Sequence, residues 1–327
     1  MKQKIRCAIL GTGHGHAAGK LRVLQGSDDW EFAGVCEPDP AWRARREREA
    51  AFAGVRWLSE ADVLGDPSLR MVAVESEVRQ LVDLGQKVID AGKHLHLDKP
   101  AGVSLPAFGA LLDAANRKGL IVQMGYMFRY NTGFDLIRQA VREGWLGHVH
   151  YLHGTINSIY DAAHRRTLDF HPGGMMFELA GHLIDILVLL MGRPRRVTPF
   201  MRHDGAFDDQ LTDNTLAVLE FDRAVAVIES SALEVGSSAR RHFEVLGDAG
   251  SVVLQPLEPP AVRLCLGESR GGYQSGWQDV AVPNIPRYVR DLQELARCIR
   301  GEQEFPYSKE HDLTMHETLL RACGVEE

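Results

Sequence analysis

Short apolar runs alternate with amphipathic stretches over residues 1–124. The apolar runs predict five β-strands, at 5–10, 32–36, 71–74, 94–97 and 121–124. Stretches with helical spacing of apolar residues lie between them, one starting at Ala17 and others over 43–52, 81–91 and 105–118. Strands that alternate with helices of this length predict βαβ units, a parallel sheet and hence a doubly wound α/β domain.

The pattern changes near residue 125. One more amphipathic helix is predicted over 134–143, and strand-like runs then dominate, at 148–158, 195–201, 215–221, 224–232, 242–246, 251–254 and 262–266. Turn residues around Asp222 and Gly250 predict two hairpins. A helix over 178–191 interrupts the strands, and helices over 286–300 and 309–322 close the chain. We therefore predict a second, α+β domain over 125–327 with an open, mostly antiparallel sheet.

Composition excludes several classes of protein. The 327 residues suffice for two domains, and 45% hydrophobic with 25% charged residues is ordinary for a globular chain. With 37 basic and 44 acidic residues the net charge is −7, so we expect no nucleic-acid partner and no membrane association. Five scattered cysteines without CxxC spacing fit a reducing compartment. Since the N-terminal apolar run is too short for a signal peptide, we expect a cytoplasmic protein.

A glycine-rich segment joins the first predicted strand to the first predicted helix. It reads Gly11-Thr12-Gly13-His14-Gly15-His16. Glycines at this junction allow a tight turn, and the helix N-terminus offers N–H groups to a pyrophosphate. Glu37, at the end of the second strand, can accept hydrogen bonds from ribose hydroxyls, which favours NAD. Nearby arginines (Arg43, Arg45 and Arg46) leave NADP open, and an ordinary surface turn is the alternative interpretation.

Asp98-Lys99-Pro100 follows the fourth predicted strand. Ligands of open α/β sheets bind at the carboxyl ends of the strands, so Lys99 is expected beside the nicotinamide, hydrogen-bonded to a substrate oxygen. The alternative is an exposed lysine in a turn.

Three ionisable residues interrupt an otherwise apolar stretch over 173–191. Glu178, His182 and Asp185 are spaced i, i+4 and i+7, so a helix would place them on one face. A histidine beside carboxylates is the arrangement that a general base needs. The alternative is a surface helix whose polar face is solvated.

Further residues are weaker candidates. Tyr126 and Arg129 follow the fifth strand and can contact substrate hydroxyls, although a packed aromatic hinge explains them equally well. His171 is also a candidate for substrate binding. The histidines have no compact metal-binding spacing, so we expect no metal; they are His153, His164, His171 and His182.

In combination these motifs resemble the Gfo/Idh/MocA family of NAD(P)-dependent oxidoreductases, the group of glucose–fructose oxidoreductase and inositol dehydrogenase. The segments that carry the resemblance occur in family order: the glycine loop, "VCEPDP", "AGKHLHLDKP", "GGMMFELAGHLID", "DNTLAVLEFDRAVAVIES" and "EVLGDAGSVVL". The resemblance implies a Rossmann domain over 1–124. It also implies a substrate-binding domain over 125–327, whose open sheet forms a homodimer or homotetramer.

The resemblance also implies roles for individual residues. Lys99 corresponds to the catalytic lysine, His182 to the catalytic histidine, and Glu178 to an aspartate one turn earlier. The glycine loop, Glu37, Ser76 and Asp98 would bind the cofactor. The implied reaction is hydride transfer between nicotinamide and a carbinol carbon of a sugar, cyclitol or related polyol.

The sequence departs from the family pattern at four places. Asp98 replaces a glutamate, Glu178 replaces an aspartate, His16 stands in the slot of the third glycine, and the turn 75–81 lacks the usual Thr-Pro. Two alternative functions stay open. One is an enzyme that retains NAD and uses transient oxidation for epimerisation, elimination or glycoside cleavage. The other is a non-catalytic regulator that senses NAD or a sugar, for which the changed turn and the replacements at Asp98 and Glu178 leave room.

Overall fold

The computed structural model describes residues 3–325, and the chain divides into two compact units. The first unit contains a parallel sheet of five strands in the order β2-β1-β3-β4-β5. These strands are β1 (Ile5–Leu10), β2 (Trp30–Cys36), β3 (Met71–Val74), β4 (His94–Leu97) and β5 (Val122–Met124). Every pairing between them is parallel, which confirms the doubly wound sheet expected from the alternating pattern.

Five helices follow these strands along the chain. They are α1 (Ala17–Gly26), α2 (Pro40–Arg46), α3 (Glu60–Gly65), α4 (Leu81–Asp90) and α5 (Leu105–Arg117). The helix predicted over 43–52 begins earlier, because Asp39 accepts hydrogen bonds from the N–H groups of Ala41 and Trp42 and Pro40 follows it. The prediction missed α3, a short helix that Ser59 and Asp62 start with a capping box.

The second unit is built on an eight-stranded sheet in the order β13-β12-β11-β10-β6-β9-β8-β7. Its strands are β6 (Val149–Thr155), β7 (Arg196–Arg202), β8 (Asn214–Glu220), β9 (Val225–Ser231), β10 (His242–Gly247), β11 (Gly250–Leu254), β12 (Val262–Leu266) and β13 (Gly276–Val280). The pair β6–β9 is parallel and the other pairs are antiparallel, which confirms the prediction of a mostly antiparallel sheet. The two predicted hairpins are β8–β9 and β10–β11.

Helices cover one face of this second sheet. The unit contains α6 (Thr132–Arg142), α7 (Ala162–Arg166) and α8 (Gly181–Met191), the last preceded by a π-helical turn, Met176–Ala180. Gly154 of β6 faces α8, and a Cβ there would lie 2.9 Å from Leu183 Cδ1. Buried and half-exposed residues alternate along β8 and β9, so the opposite face of the sheet carries partly exposed side chains.

The C-terminal segment differs from the predicted domain boundaries. The chain divides after Tyr126, close to the expected boundary, but Pro286–Leu313 belongs to the first unit, although the prediction placed all of 125–327 in the second. This segment carries α9 (Val289–Ile299) and the start of α10 (Lys309–Ala322). Gln123 donates to the Asp291 carbonyl and Arg300 pairs with Asp29, so α9 is fixed to the parallel sheet by long-range contacts.

None of the helices in the described part of the chain combines the length and hydropathy needed to cross a bilayer.

Candidate active site

The glycine loop between β1 and α1 packs against the loop that follows β3. Gly11 has a φ of +79°, and a Cβ there would lie 2.6 Å from the Cβ of Ser76. A Cβ on Gly13 would lie 2.8 Å from the backbone nitrogen of Glu77, whereas Gly15 has open space around it. The segment 75–81, which departs from the family pattern, therefore explains why the first two glycines are needed. Gly15, in contrast, leaves space in which a ligand can approach the backbone.

Glu37 holds the same loop from the other side. Its Oε2 accepts from Thr12 N at 2.5 Å and from Thr12 Oγ1 at 2.7 Å, and its Oε1 accepts from Asp39 N at 2.9 Å. Arg46 donates through Nε to the Thr12 carbonyl (3.0 Å) and through Nη2 to the His14 carbonyl (3.2 Å). Arg46, one of the arginines that left NADP open, is thus directed at loop carbonyls.

These features fit a dinucleotide. The turn is tight, α1 starts directly after it at Ala17, and the helix N-terminus presents N–H groups and the positive end of its dipole. Glu37 is 6% exposed and lies at the end of β2, where a ribose carboxylate is expected. Each carboxylate oxygen has more than one lone pair, so Glu37 can accept a ribose hydroxyl in addition to its present donors.

Asp98 connects the end of β4 to the glycine loop. Its Oδ2 lies 2.8 Å from His14 Nδ1, 3.1 Å from His16 Nδ1 and 3.3 Å from Lys20 Nζ. Its Oδ1 accepts from the backbone N–H of Lys99 at 2.7 Å. The carboxylate is fully buried, so one side chain fixes both the loop and the backbone of the following lysine.

A second buried carboxyl shares the Lys20 ammonium. Lys20 Nζ lies 2.8 Å from Glu75 Oε1. Burial, together with the neighbouring Asp98, raises the pKa of Glu75 well above its usual range. Burial acts in the same direction on Asp98, but His14, His16 and Lys20 outweigh it and hold the pKa of Asp98 well below its usual range. Within the cluster, the surroundings therefore favour the ionised form of Asp98 and the neutral form of Glu75.

Sequence reasoning missed Lys20 and Glu75. Lys20 lies on the same buried side of α1 as Ala17, Leu21 and Leu24, and a lysine among apolar positions was the available signal. The ring of Tyr288 closes the cluster, with its centroid 5.6 Å from Lys20 Nζ. Tyr288 has a φ of +67°, in the left-handed region, and comes from the C-terminal segment, which no local pattern connects to α1.

Lys99 is 1% exposed, so the alternative of an exposed turn lysine is wrong. The peptide bond to Pro100 is cis. Lys99 thus follows the carboxyl edge of the parallel sheet, immediately after the carboxylate that contacts the glycine loop.

In the second unit, the predicted helix over 178–191 starts with a π-helical turn at Met176–Ala180. A π turn is wider than an α turn and is common at functional sites, so the α-helical spacing used for Glu178 does not hold there. Glu178 Oε2 lies 3.4 Å from His171 Nδ1. Burial and the charge of Glu178 raise the pKa of nearby Tyr160 to about 12.

His182 is in the first turn of α8 and is 1% exposed. Its ring lies 5.3 Å from the ring of Phe128. The buried position rules out the alternative of a solvated surface face at this residue.

Arg129 and Asp185 form a buried ion pair in this unit. Arg129 Nε lies 2.9 Å from Asp185 Oδ2, and Nη2 lies 2.6 Å from Oδ1. The pair joins the turn Met127–Tyr130 to α8. Substrate contacts of both residues, and of Tyr126, which is 1% exposed, stay predictions. That Lys99 and His182 act on one substrate also stays a prediction.

Both units match domains of one protein family. Residues 5–126 match the model of an oxidoreductase family with an NAD-binding Rossmann fold, and residues 134–253 match the GFO/IDH/MocA C-terminal domain. The chain belongs to the GFO/IDH/MocA family. The NAD-binding domain expected from the glycine loop and Glu37 is therefore confirmed.

Relatives of this GFO/IDH/MocA protein include dehydrogenases and reductases of polyols and sugars. It is 27% identical over 317 residues to scyllo-inositol 2-dehydrogenase (NAD(+)) of Bacillus subtilis (strain 168), a match that covers 92% of this chain and 88% of the relative. It is 25% identical over 242 residues to a dTDP-3,4-didehydro-2,6-dideoxy-alpha-D-glucose 3-reductase of Streptomyces violaceoruber, covering 70% of this chain and 69% of the relative.

Solved structures show the same fold. UDP-N-acetylglucosamine 3-dehydrogenase GnnA from Acidithiobacillus ferrooxidans matches with a TM-score of 0.81 at 16% identity, covering 99% of this chain and 98% of that one. An oxidoreductase from Agrobacterium radiobacter, in complex with NAD+, L-tartaric acid and magnesium, also has a TM-score of 0.81, at 15% identity and with 99% and 96% coverage.

Proposed function

We propose that this protein is an NAD-dependent oxidoreductase that transfers hydride between nicotinamide and a carbinol carbon of a sugar, cyclitol or related polyol. The observation that carries the proposal is the double role of Asp98. Its carboxylate contacts His14 in the glycine loop at 2.8 Å and accepts the Lys99 N–H at 2.7 Å. A buried lysine is therefore tied to the loop that would hold the pyrophosphate. The inositol dehydrogenase relative supports the class of substrate.

Each side chain has a defined task in this proposal. Bound NAD supplies the hydride acceptor at its nicotinamide ring. Lys99 donates a hydrogen bond to the substrate oxygen and stabilises the alkoxide as it forms. His182 accepts the hydroxyl proton as general base. Glu178, beside His171, holds a neighbouring hydroxyl of the substrate.

The cofactor is proposed to be NAD rather than NADP. Glu37 places a carboxylate at the end of β2, which would repel a 2′-phosphate and accept from a 2′-hydroxyl. Arg46 is turned toward the carbonyls of Thr12 and His14 and not toward such a phosphate.

The proposal is tested by NADH formation with a panel of inositols, aldoses and sugar acids, followed by substitution of Lys99. We expect Lys99→Met to lower kcat by about 10²- to 10³-fold, as loss of an oxyanion-stabilising donor does, while NAD affinity is retained. Lys87→Met is the matched control, because Lys87 is an exposed lysine that pairs with Glu60. Unchanged kcat in Lys99→Met would show that the lysine has no such role.

The same assay separates the alternative functions. An enzyme that retains NAD converts substrate without net release of NADH, whereas a dehydrogenase releases it in proportion to product. A regulator binds a sugar without any redox reaction across the panel.

A further inference from the structure

Four polar side chains meet across three strands of the second sheet. His153 is in β6, His242 and Glu244 are in β10, and Glu229 is in β9. Glu244 is directly opposite His153 in the antiparallel register, and His242 is two residues away along the same strand. Side chains two residues apart share a face of a sheet, so the cluster lies on the face opposite Gly154 and α8. It is therefore separate from the helix that carries His182.

The hydrogen bonds of the two histidines fix their tautomers. His153 Nε2 lies 3.1 Å from Glu229 Oε1, and His242 Nδ1 lies 3.2 Å from the Arg240 carbonyl. An ionised carboxylate and a carbonyl only accept, so each of these nitrogens carries the ring hydrogen. In the neutral rings the lone pairs are then on His153 Nδ1 and His242 Nε2.

These two lone-pair nitrogens face each other at 3.2 Å. Two acceptors repel at that distance unless a positive species lies between them, and the candidates are a proton and a metal ion. The Glu244 carboxylate adds a third donor atom, 3.7 Å from His153 Nδ1. All three donor atoms lie within 4.8 Å of one another.

The spacing fits tetrahedral coordination. Zinc binds histidine nitrogen and carboxylate oxygen at about 2.0–2.2 Å, which puts neighbouring ligands of a tetrahedron roughly 3.4 Å apart. The separations of 3.2 Å and 3.7 Å bracket that value. Two histidines and one glutamate form an established zinc ligand set that keeps a fourth position for water.

We propose that His153 Nδ1, His242 Nε2 and Glu244 bind one Zn²⁺ ion on the open face of the second sheet. Glu229 supports the site from outside by accepting from His153 Nε2, and Thr155 Oγ1 in turn donates to Glu229 at 2.5 Å. A carboxylate that orients a metal-binding histidine in this way is a regular feature of zinc sites. The ion would join β6 to β10 and stabilise the sheet.

The other cluster with metal-ligand chemistry in residues 3–325 is His14, His16 and Asp98. There the Lys20 ammonium lies 3.3 Å from the same carboxylate oxygen that the histidines approach. Lys20 already supplies the positive charge that a metal would bring, and a cation added beside it would be repelled. In the sheet cluster, the largest charge effects on each ring come from Glu229, Glu244 and the neighbouring histidine.

No local sequence pattern indicates this site, because His153 and His242 are 89 residues apart in the chain. The prediction of no metal rests on spacing along the sequence, which does not bring these two histidines together. The ligands become neighbours only through the register in which β6 pairs with β10.

The test is titration of the chelator-treated full chain with ZnCl₂ by isothermal calorimetry, together with thermal melting and the visible spectrum of a CoCl₂-loaded sample. We expect one ion per chain, a rise in Tm with zinc, and tetrahedral Co²⁺ bands. His153→Gln and His242→Gln should abolish this binding, and Glu229→Gln should weaken it by about 10- to 100-fold. His150→Gln is the control, since His150 is an exposed histidine of the same strand.

Two results would overturn the proposal. One is the absence of stoichiometric zinc binding by the unaltered chain, which would leave a shared proton between the rings. The other is zinc binding that persists unchanged in both His153→Gln and His242→Gln. Should either variant fail to fold, Glu244→Gln and Glu229→Gln change only the carboxylates and give the same comparison. The outcome does not depend on the oxidoreductase activity.

Discussion

The Lys20 ammonium lies 2.8 Å from Glu75 Oε1, and neither side chain is exposed to solvent. Asp98 shares the same ammonium at 3.3 Å, so one cation is surrounded by two carboxyls beneath the glycine loop. Desolvation of three such groups is costly, and it is tolerated only while each keeps its partners. The cluster therefore ties α1, β3 and β4 together where the cofactor is proposed to bind.

Removal of the cation should be strongly destabilising. We expect Lys20→Met to lower the free energy of unfolding by about 3–5 kcal/mol, because Asp98 loses a buried counter-charge. Urea denaturation followed by circular dichroism measures this. Lys87→Met, at an exposed lysine, should change stability by less than about 0.5 kcal/mol.

A double variant tests whether the effect comes from the pair. Lys20→Met combined with Glu75→Gln should cost less than the sum of the two single changes, since the two groups are in direct contact. Strict additivity would mean that Lys20 and Glu75 do not stabilise each other.

Asp291 should make the stability of the first unit depend on pH. Burial raises its pKa from 3.8 to about 6. Between these values the folded state binds more protons than the unfolded state, so stability falls as pH rises from about 4 to 6. The shift in the pKa of Asp291 corresponds to about 3 kcal/mol in the free energy of unfolding.

Asp291→Asn removes this titration and keeps an oxygen for the N–H of Leu292, which Asp291 Oδ1 now accepts at 2.9 Å. We expect the variant to gain stability relative to the unaltered chain as pH rises from 4 to 7, by up to about 3 kcal/mol. Denaturant melts at several pH values measure the difference. A difference that stays constant with pH would contradict the assigned cause.

Substitutions in the Arg129–Asp185 ion pair can show whether the pair stabilises the fold or binds substrate. Asp185→Asn removes a carboxylate charge from beside a buried guanidinium, so we expect a loss of about 3–5 kcal/mol in stability. Arg129→Lys should not restore it, because lysine cannot reproduce the two-point contact. If the residues instead bind substrate, Asp185→Asn would raise KM while the melting temperature stays near that of the unaltered chain.

Strands could be predicted from the sequence where their burial produces a local pattern of apolar residues. Strands β1, β3 and β4 are runs of buried residues, and their predicted bounds agree with the structure. Edge strand β13 was missed because its residues are exposed or half-exposed, including Trp277, and leave no apolar run. A strand at the edge of a sheet packs against little, so its sequence is weakly constrained.

Long-range contacts could not be predicted in the same way. Tyr288 reaches the Lys20 cluster from a segment that follows all eight strands of the second sheet, and no local periodicity encodes that return. The pairing of Arg129 with Asp185 depends on how a turn packs on α8. The glycine loop did not depend on such contacts. Its position between a predicted strand and a predicted helix was enough to indicate a ligand-binding loop.

Two glycines of that loop separate packing from ligand binding. A Cβ on Gly13 would lie 2.8 Å from Glu77 N, which is backbone, so Gly13→Ala should cost about 1–3 kcal/mol of stability without any ligand. No atom lies within 4 Å of a Cβ placed on Gly15, so Gly15→Ala should leave the unliganded chain intact. If the open space over Gly15 is where the pyrophosphate approaches the backbone, Gly15→Ala should nevertheless weaken NAD binding, about tenfold for a loss of 1.4 kcal/mol. Thermal melts with and without NAD report both quantities. If the Gly15→Ala variant binds NAD with unaltered affinity, the pyrophosphate does not bind at this turn. The reason is that an added methyl group would prevent the close approach of the phosphates to the backbone that glycine allows.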